Sequence, residues 1–513
     1  MRLAMTRAVA LTGLEGTVVD VECHISPGLP AFGIGGLPDA ACAQAPDRVR
    51  SAAMSAEVPL PPHRIVVNLS PASLPKRGTS FDLGIAVAVL AAGRQIPAEL
   101  VRGVVHIGEL GLDGRVRPVN GVLPAVFAAQ RAGARCVVVP AANAGEAALV
   151  DGIVVHAVTD LAGLIGAYRA AERTGELPAS QARPPVVEAE APRRIDLSDV
   201  TGQHEARAAL EVAAAGGHHL LLNGPPGSGK TMLAERLVTV LPPLSRQAAL
   251  EVASVASLVG GVQPGRELDT TPPFVAPHHS ASVAAIVGGG GGAIRPGAIS
   301  RAHQGVLFLD EAAEFKSSAL QALRQPLESG EVEIARARLT VRYPARFQLV
   351  MAANPCPCGQ GQGKGLQCSC SPTQRRMYAQ RLSGPLTDRV DLQVEVPPMT
   401  KAGLSAQPGE SSADVGYRVA QARGAQAERW FAHGWSINRE VPGSALRRPP
   451  FRLPASVTSD LDRALDLHVL TLRGYDRALR VAWSVSDLRG RPSPDRDEVG
   501  FALAMRRAEG VAA

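Results

Sequence analysis

Eight consecutive residues carry the most specific chemistry in this chain. Gly224, Pro225, Pro226, Gly227, Ser228, Gly229, Lys230 and Thr231 fit the pattern G-x-x-x-x-G-K-[ST] in full. The apolar segment HHLLL leads into them and a helical segment, MLAERLVTVL, leads out. That context defines a P-loop. Its glycines let backbone N–H groups wrap phosphates, and the helix N-terminus adds positive potential. Lys230 is expected to reach the β- and γ-phosphates of a nucleoside triphosphate, and Thr231 to ligate Mg²⁺. Further on, the apolar run VLFL ends in two acids, Asp310 and Glu311. Asp310 is placed to hold the Mg²⁺ shell and Glu311 to polarise an attacking water. ATP and Mg²⁺ are therefore the expected cofactors.

A second constellation is made of thiols. Cys356-x-Cys358 is followed, after nine residues, by Cys368-x-Cys370, so four of the seven cysteines share one Gly- and Gln-rich loop. Two close pairs across a turn can supply the four soft ligands of a tetrahedral Zn²⁺. Such a site would be structural, because four thiolates leave no open coordination position; free thiols are the alternative. The adjacent His278 and His279 stand on a segment poor in other ligands and read as structural rather than metal-binding.

The elements that must hold these residues follow from periodicity. Val19, Val21, Cys23 and Ile25 alternate with polar residues, as in a half-buried strand. Residues 65–69, 104–107, 136–139 and 153–158 read as further strands, interleaved with helices near 40–54 and 83–92. A stretch rich in Pro, Glu, Arg and Ala at 173–194 reads as an exposed linker. Beyond it, residues 220–222, 306–309 and 348–352 are short apolar runs, as buried parallel strands require. After about residue 400 the strand signals stop, and 412–431 and 455–488 read mainly as helices. Segment 331–342 alternates like a hairpin, with Arg336 and Arg338 at its turn. Trp430, Phe431 and Trp435 cluster in the helical tail, where a role in the lid core is expected.

Composition limits the class. The chain has 513 residues, 46% hydrophobic and 19% charged, which is ordinary for a globular protein of several domains. Its longest apolar run, 83–93, falls short of the roughly 20 residues that span a bilayer. No secretory signal is expected, and sparse, odd-numbered cysteines point to a reducing cytoplasm rather than a disulfide scaffold. The net charge is +6, carried almost entirely by arginine. A GC-rich genome produces the same bias, so it weighs little toward a nucleic-acid partner.

The nucleotide-binding part resembles the AAA+ ATPases of the magnesium-chelatase-like branch. In that resemblance Asn354, ending QLVMAAN, matches sensor 1, and Arg389 in GPLTDRVDL matches the arginine finger, which serves a neighbouring subunit and so implies a ring, a hexamer. Arg473 in TLRGYDRALRVA matches sensor 2 on the lid, with Arg477 or Arg480 as alternatives. The segments 276–295 and 331–342 match insertions that line the central pore, where Arg336 and Arg338 would track a phosphate backbone.

Residues 1–170 resemble the Lon-protease-like domain in GTSFDLGIAVAVLAA and HIGELGLDGRVRPVNGVLPAV. The serine of the Lon dyad falls at Asp82 and the lysine near Ala125, so peptidase chemistry lacks its groups.

The implied fold is α/β: a P-loop AAA+ core (195–400) with a C-terminal α-helical lid (401–513). It is preceded by a Lon-protease-like α+β domain without catalytic dyad (1–172) and the linker (173–194). This order, with APHHSAS, GVLFLDE, PARFQLVMAANPCPCG and SGPLTDRVDL, is similar to the YifB/ComM family. That resemblance implies a cytoplasmic homohexameric ATPase acting as a helicase on single-stranded or branched DNA. Its task would be branch migration when transforming DNA is integrated by homologous recombination, with recombination proteins as candidate partners and no membrane. The alternative is a magnesium-chelatase-type ATPase that remodels a protein partner for Mg²⁺ insertion into a porphyrin.

Overall fold

The computed structural model describes residues 2–179, 195–261, 268–290, 294–336, 339–361, 368–382, 386–399 and 407–506. Arg338, linker residues 180–194, Gly291 and Gly292, the 362–367 stretch between the cysteine pairs, Gly384 and Pro385, and tail residues 401–406 and 507–513 lie outside them.

The N-terminal part is built on a 7-stranded mixed sheet. Its spatial order is Ala31–Gly35, Arg64–Ser70, Glu15–Ser26, Arg2–Thr12, Val104–His106, Cys136–Pro140 and Val154–Val158. The alternation around Val19 is realised, and Val19, Val21, Cys23 and Ile25 are all buried. Strand Arg2–Thr12, which periodicity did not mark, pairs along its whole length with Glu15–Ser26. Helix Asp82–Ala92 is buried at every position. An apolar run of that length without a polar face can only be a central core helix.

The nucleotide-binding part is a 5-stranded parallel sheet in the order Phe274–Val275, Val306–Leu309, Gln348–Ala353, Leu220–Asn223, Leu392–Glu395. Both faces are covered. Leu220, Leu222, Val306 and Phe308 pack into one core, while Leu221, Leu307, Leu309 and Met351 pack into another. This is why the strands read as continuous apolar runs. The two outer strands escaped sequence reading because Phe274–Val275 has only two residues and Gln393 and Glu395 interrupt the apolar run of Leu392–Glu395.

The first of those cores extends into the helices after residue 410. Helix Ser412–Trp430 is capped by the Ser411 hydroxyl, which accepts from Asp414 N–H, and Leu472–Leu488 is capped likewise by Thr471 onto Gly474. Trp430 is fully buried, with ring centroids 4.6 Å from Phe451, 5.9 Å from Trp435 and 6.0 Å from Trp483. Phe431 corrects the expected cluster. It is 85% exposed, because the helix ends at Trp430 and the next turn swings its ring outward.

The two parts are joined by side-chain contacts as well as by sequence. Helix Arg246–Ser257 lies against the N-terminal part, where the Ser257 hydroxyl donates to buried Glu146 at 2.7 Å and Arg246 pairs with Asp151 at 2.7 Å. The turn after strand Arg2–Thr12 reaches the second strand of the hairpin formed by Glu331–Arg336 and Leu339–Pro344. A Cβ on Gly13 would stand 2.5 Å from Val341 Cγ1. Among the described residues no helix is long and apolar enough to cross a membrane.

Candidate functional site

Strand Leu220–Asn223 delivers the P-loop to the C-terminal edge of the parallel sheet, the edge where open α/β sheets bind ligands. The loop turns tightly because Gly227 and Gly229 take φ of +75° and +96° with open space around them. Gly224 is required for another reason: a Cβ there would lie 2.2 Å from the Val396 carbonyl. Helix Lys230–Val240 begins directly after the loop. Buried Ser228 Oγ has no hydrogen-bond partner, consistent with a cradle shaped for a polar guest. Gln203 bridges the loop to the end of the outer strand, donating to Ser228 O at 3.2 Å and Pro397 O at 2.7 Å. Sequence reading missed it, because its position depends on the fifth strand.

Lys230 Nζ donates to the carbonyls of Gly224 at 2.6 Å and Pro225 at 2.8 Å, and to Asn354 Oδ1 at 3.2 Å. Burial lowers its pKa, against the opposing fields of Asp310 and Glu311. Thr231 Oγ1 donates to Asp310 Oδ2 at 2.8 Å. The structure therefore gathers Lys230, Thr231, Asp310 and Asn354 beyond the C-terminal ends of three adjacent strands, although they span more than a hundred residues of sequence. A hydroxyl and a carboxylate at contact distance, both reachable by solvent, form a donor set suited to Mg²⁺.

Glu311 stands beside Asp310 in a left-handed conformation, φ +50°. Its Oε2 lies 3.2 Å from His279 Nδ1. His279 thus touches the acid expected to polarise water, a contact absent from the sequence reading. The only available signal was sheet order: His279 follows edge strand Phe274–Val275, which adjoins the acid-bearing strand.

Arg389 lies elsewhere. It precedes strand Leu392–Glu395, and Leu392 is in register with Leu220 at the far end of the P-loop strand. The N-terminal edge of the sheet therefore separates Arg389 from its own P-loop. Its guanidinium pairs with exposed Glu328. A cavity of about 730 Å³ opens there, lined by Arg389, Arg423, Arg439, Arg477 and Arg480 among others. Arg477 donates to Asp391 Oδ1 at 2.6 Å and to the Arg389 carbonyl at 2.9 Å, and Arg480 donates to Val441 O at 2.6 Å. Burial pushes the Asp391 carboxyl up, but Arg477 and then His218 and His219 outweigh it and hold it far below the ordinary range. Arg473 is exposed at the start of the same helix.

The expected insertions meet each other. Gly288–Gly289 pairs with Arg295–Pro296. Ile334 on the 331–344 hairpin packs so closely that a Cβ on Gly288 would lie 2.7 Å from its Cδ1. Arg336 and Arg295 are both exposed on these neighbouring hairpins.

The four cysteines converge. Cys356 Sγ lies 3.3 Å from Cys358 Sγ and 3.6 Å from Cys368 Sγ, and all four sulfurs fall within 4.8 Å of one another.

In the N-terminal part, Asp82 is fully buried and held by Arg48 through Nε at 2.6 Å and Nη2 at 2.8 Å, with Leu110 N–H at 3.3 Å. Ala125, at the lysine register, is buried.

Comparison with known proteins agrees with this architecture. Residues 21–143 match the family described as subunit ChlI of Mg-chelatase, 196–404 the magnesium chelatase subunit ChlI family, and 409–506 its C-terminal family. An uncharacterized protein of Mycobacterium tuberculosis strain H37Rv is 51% identical over 99% of both chains. Competence protein ComM of Haemophilus influenzae is 41% identical over 99% of this chain and 98% of its own length. YifB of Escherichia coli is 40% identical over 95% and 94%. A partial likeness to Lon protease of Mycolicibacterium smegmatis is 32% identical and covers 31% of this chain and 22% of that protein.

Proposed function

The chain belongs to the ComM/YifB family of magnesium-chelatase-type AAA+ ATPases, and from that premise we propose that it hydrolyses ATP to drive DNA through a ring of its own copies. The observation that carries this reading is the placement of two half-sites at opposite ends of one parallel sheet. The P-loop group lies at the C-terminal edge and Arg389 at the N-terminal edge. Arg389 lies across the sheet from its own P-loop, which supports service to a neighbour's ATP in a homohexamer.

In the proposed mechanism the backbone of Gly224, Pro225, Pro226, Gly227, Ser228 and Gly229 cradles the phosphates. Lys230 exchanges its two carbonyl partners for β- and γ-phosphate oxygens. Thr231 and Asp310 hold Mg²⁺, which when bound neutralises charge on the phosphates. Glu311, positioned by His279, orients and deprotonates the attacking water, and Asn354 aligns it. Arg389 neutralises transition-state charge across the subunit boundary. Arg477 and Arg480 are engaged with internal partners, so exposed Arg473 serves as the lid's sensor arginine.

Arg336 and Arg338 face the ring pore and track a DNA backbone, and exposed Arg295, on the hairpin next to Arg336, adds to that surface. That strand is single or branched, and the task is branch migration during integration of transforming DNA by homologous recombination, with recombination proteins as partners. The setting is cytoplasmic. The four cysteines hold a structural Zn²⁺.

The test is ATP turnover of the purified chain with and without single-stranded and four-way-junction DNA. Wild type is expected to speed up with DNA, and Arg336→Ala/Arg338→Ala to lose only that response. Turnover indifferent to every DNA form would favour remodelling of a protein partner instead.

A further inference from the structure

The cysteine loop is interleaved with the nucleotide site rather than merely near it. Asn354, whose side chain accepts from Lys230, stands two residues before Cys356. Gly359, between the two cysteine pairs, lies flat on the P-loop: a Cβ there would come within 2.5 Å of Pro226 Cδ and 2.7 Å of Cγ. Its φ of +77° lies in the left-handed region that favours glycine. Gly361 sits equally close to the thiols, where a Cβ would approach Cys356 Sγ to 2.9 Å. From Asn354 to Gly361 the chain therefore touches, in order, the P-loop lysine, the sulfur cluster, the P-loop proline and the cluster again.

The sulfur geometry suits a metal. The sulfurs of Cys356, Cys358 and Cys368 lie 3.3, 3.5 and 3.6 Å from one another, close to the edges of about 3.8 Å in a tetrahedron of ~2.3 Å Zn–S bonds. All four cysteines are free thiols, and Cys356 is fully buried at the base of the loop.

We propose that a divalent thiophilic cation on Cys356, Cys358, Cys368 and Cys370 acts as a clamp that sets the P-loop for ATP. This rests on the Zn²⁺ reading above and extends it from a structural ion to a determinant of nucleotide affinity. The clamp works through two contacts. Gly359 backs Pro226 and keeps the P-loop closed, and the start of the loop holds the Asn354 carboxamide within reach of Lys230. Releasing the cation lets both relax, so phosphate-binding groups lose their alignment. Loss of one well-aligned hydrogen bond to a charged phosphate is enough to cost about tenfold in affinity.

The experiment uses the full chain purified under reducing conditions. Bound zinc is quantified after release with a mercurial, and affinity is measured with a fluorescent ATP analogue before release, after chelation, and after zinc is restored. About one zinc per chain is expected, with affinity about tenfold weaker without it and recovered on reloading. Cys368→Ser/Cys370→Ser should reproduce the loss. Gly359→Ala, which keeps every thiol but presses on Pro226, should weaken the analogue while retaining zinc; it keeps the test decisive if the cysteine variant fails to fold. A chain that takes up no zinc overturns the metal reading and the clamp with it. A chain that binds zinc yet holds the analogue within about twofold in both states, and in Gly359→Ala, overturns the clamp alone.

Discussion

Asp82 and Lys230 each open a helix, each is buried, and they carry opposite charge. The positive end of a helix dipole favours an anion and opposes a cation. Asp82 is therefore on the favourable end, and Arg48 closes on it with a two-pronged ion pair. Lys230 is on the unfavourable end, its charge further penalised by burial. It rests on two backbone carbonyls and Asn354, groups that phosphate oxygens can replace. One helix start has its charge requirement met from within the protein. The other is left electrostatically incomplete, and in the proposed function a triphosphate completes it. Burial of a charge thus means opposite things in the two domains, and the partners, not the burial, distinguish them.

Substitutions can break or sharpen that contrast. The largest effect is expected at Arg389, whose exposed partner Glu328 makes it as displaceable as Lys230. Arg389→Ala should lower the turnover number by about 10³-fold or more with nucleotide affinity unchanged. A loss of affinity instead would place the arginine in its own subunit's site. Lys230→Ala should cost about 10²–10³-fold in turnover while shifting unfolding free energy by no more than about 1 kcal/mol. Chemical denaturation beside steady-state kinetics separates the two.

Arg48→Ala should do the reverse. Leaving Asp82 buried and unpaired should cost about 3–5 kcal/mol of stability, with ATP turnover per folded molecule intact. The double variant Arg48→Ala/Asp82→Ala should regain part of that loss. If Arg48→Ala were thermodynamically silent, the closed character of that site would be wrong.

The smallest effect is on pH. His106 is buried between Thr6 at 2.9 Å and Tyr168 at 2.7 Å, and burial lowers its pKa to about 3. Because the unfolded imidazole binds a proton that the folded one rejects, the stability it contributes is complete above the ordinary pKa and declines as pH falls below about 6.5. At pH 5 the loss is about 2 kcal/mol. Unfolding curves of wild type and His106→Gln should converge toward acid; parallel curves would remove His106 as the cause.

The degree to which these features could be read from sequence follows the distance over which each is specified. The P-loop was legible because phosphate binding needs eight adjacent residues and a strand–helix context. The acids of the VLFLDE run were legible for a similar reason. Arg48 and Asp82 are 34 residues apart and His279 and Glu311 are 32 apart, and only sheet order and helix packing bring them together. Strand Arg2–Thr12 went unread because its alternation is diluted by alanines and an exposed Leu3. Phe431 was misread because hydrophobicity says nothing of where a helix stops. The thiols were grouped by spacing, but their contact with Pro226 depends on a glycine whose significance appears only when the loops are in place.

The turn at Gly13 has a consequence for how such chains can be assembled. It has no room for a side chain against Val341 and Tyr343 of the arginine-bearing hairpin, and Leu14 packs into that hairpin's core. A chimaera that grafts a foreign N-terminal domain onto this ATPase must therefore bring its own hairpin, or a turn as bare as this one. Exchanges of either half are expected to be tolerated only where the Gly13 turn and the hairpin still fit each other.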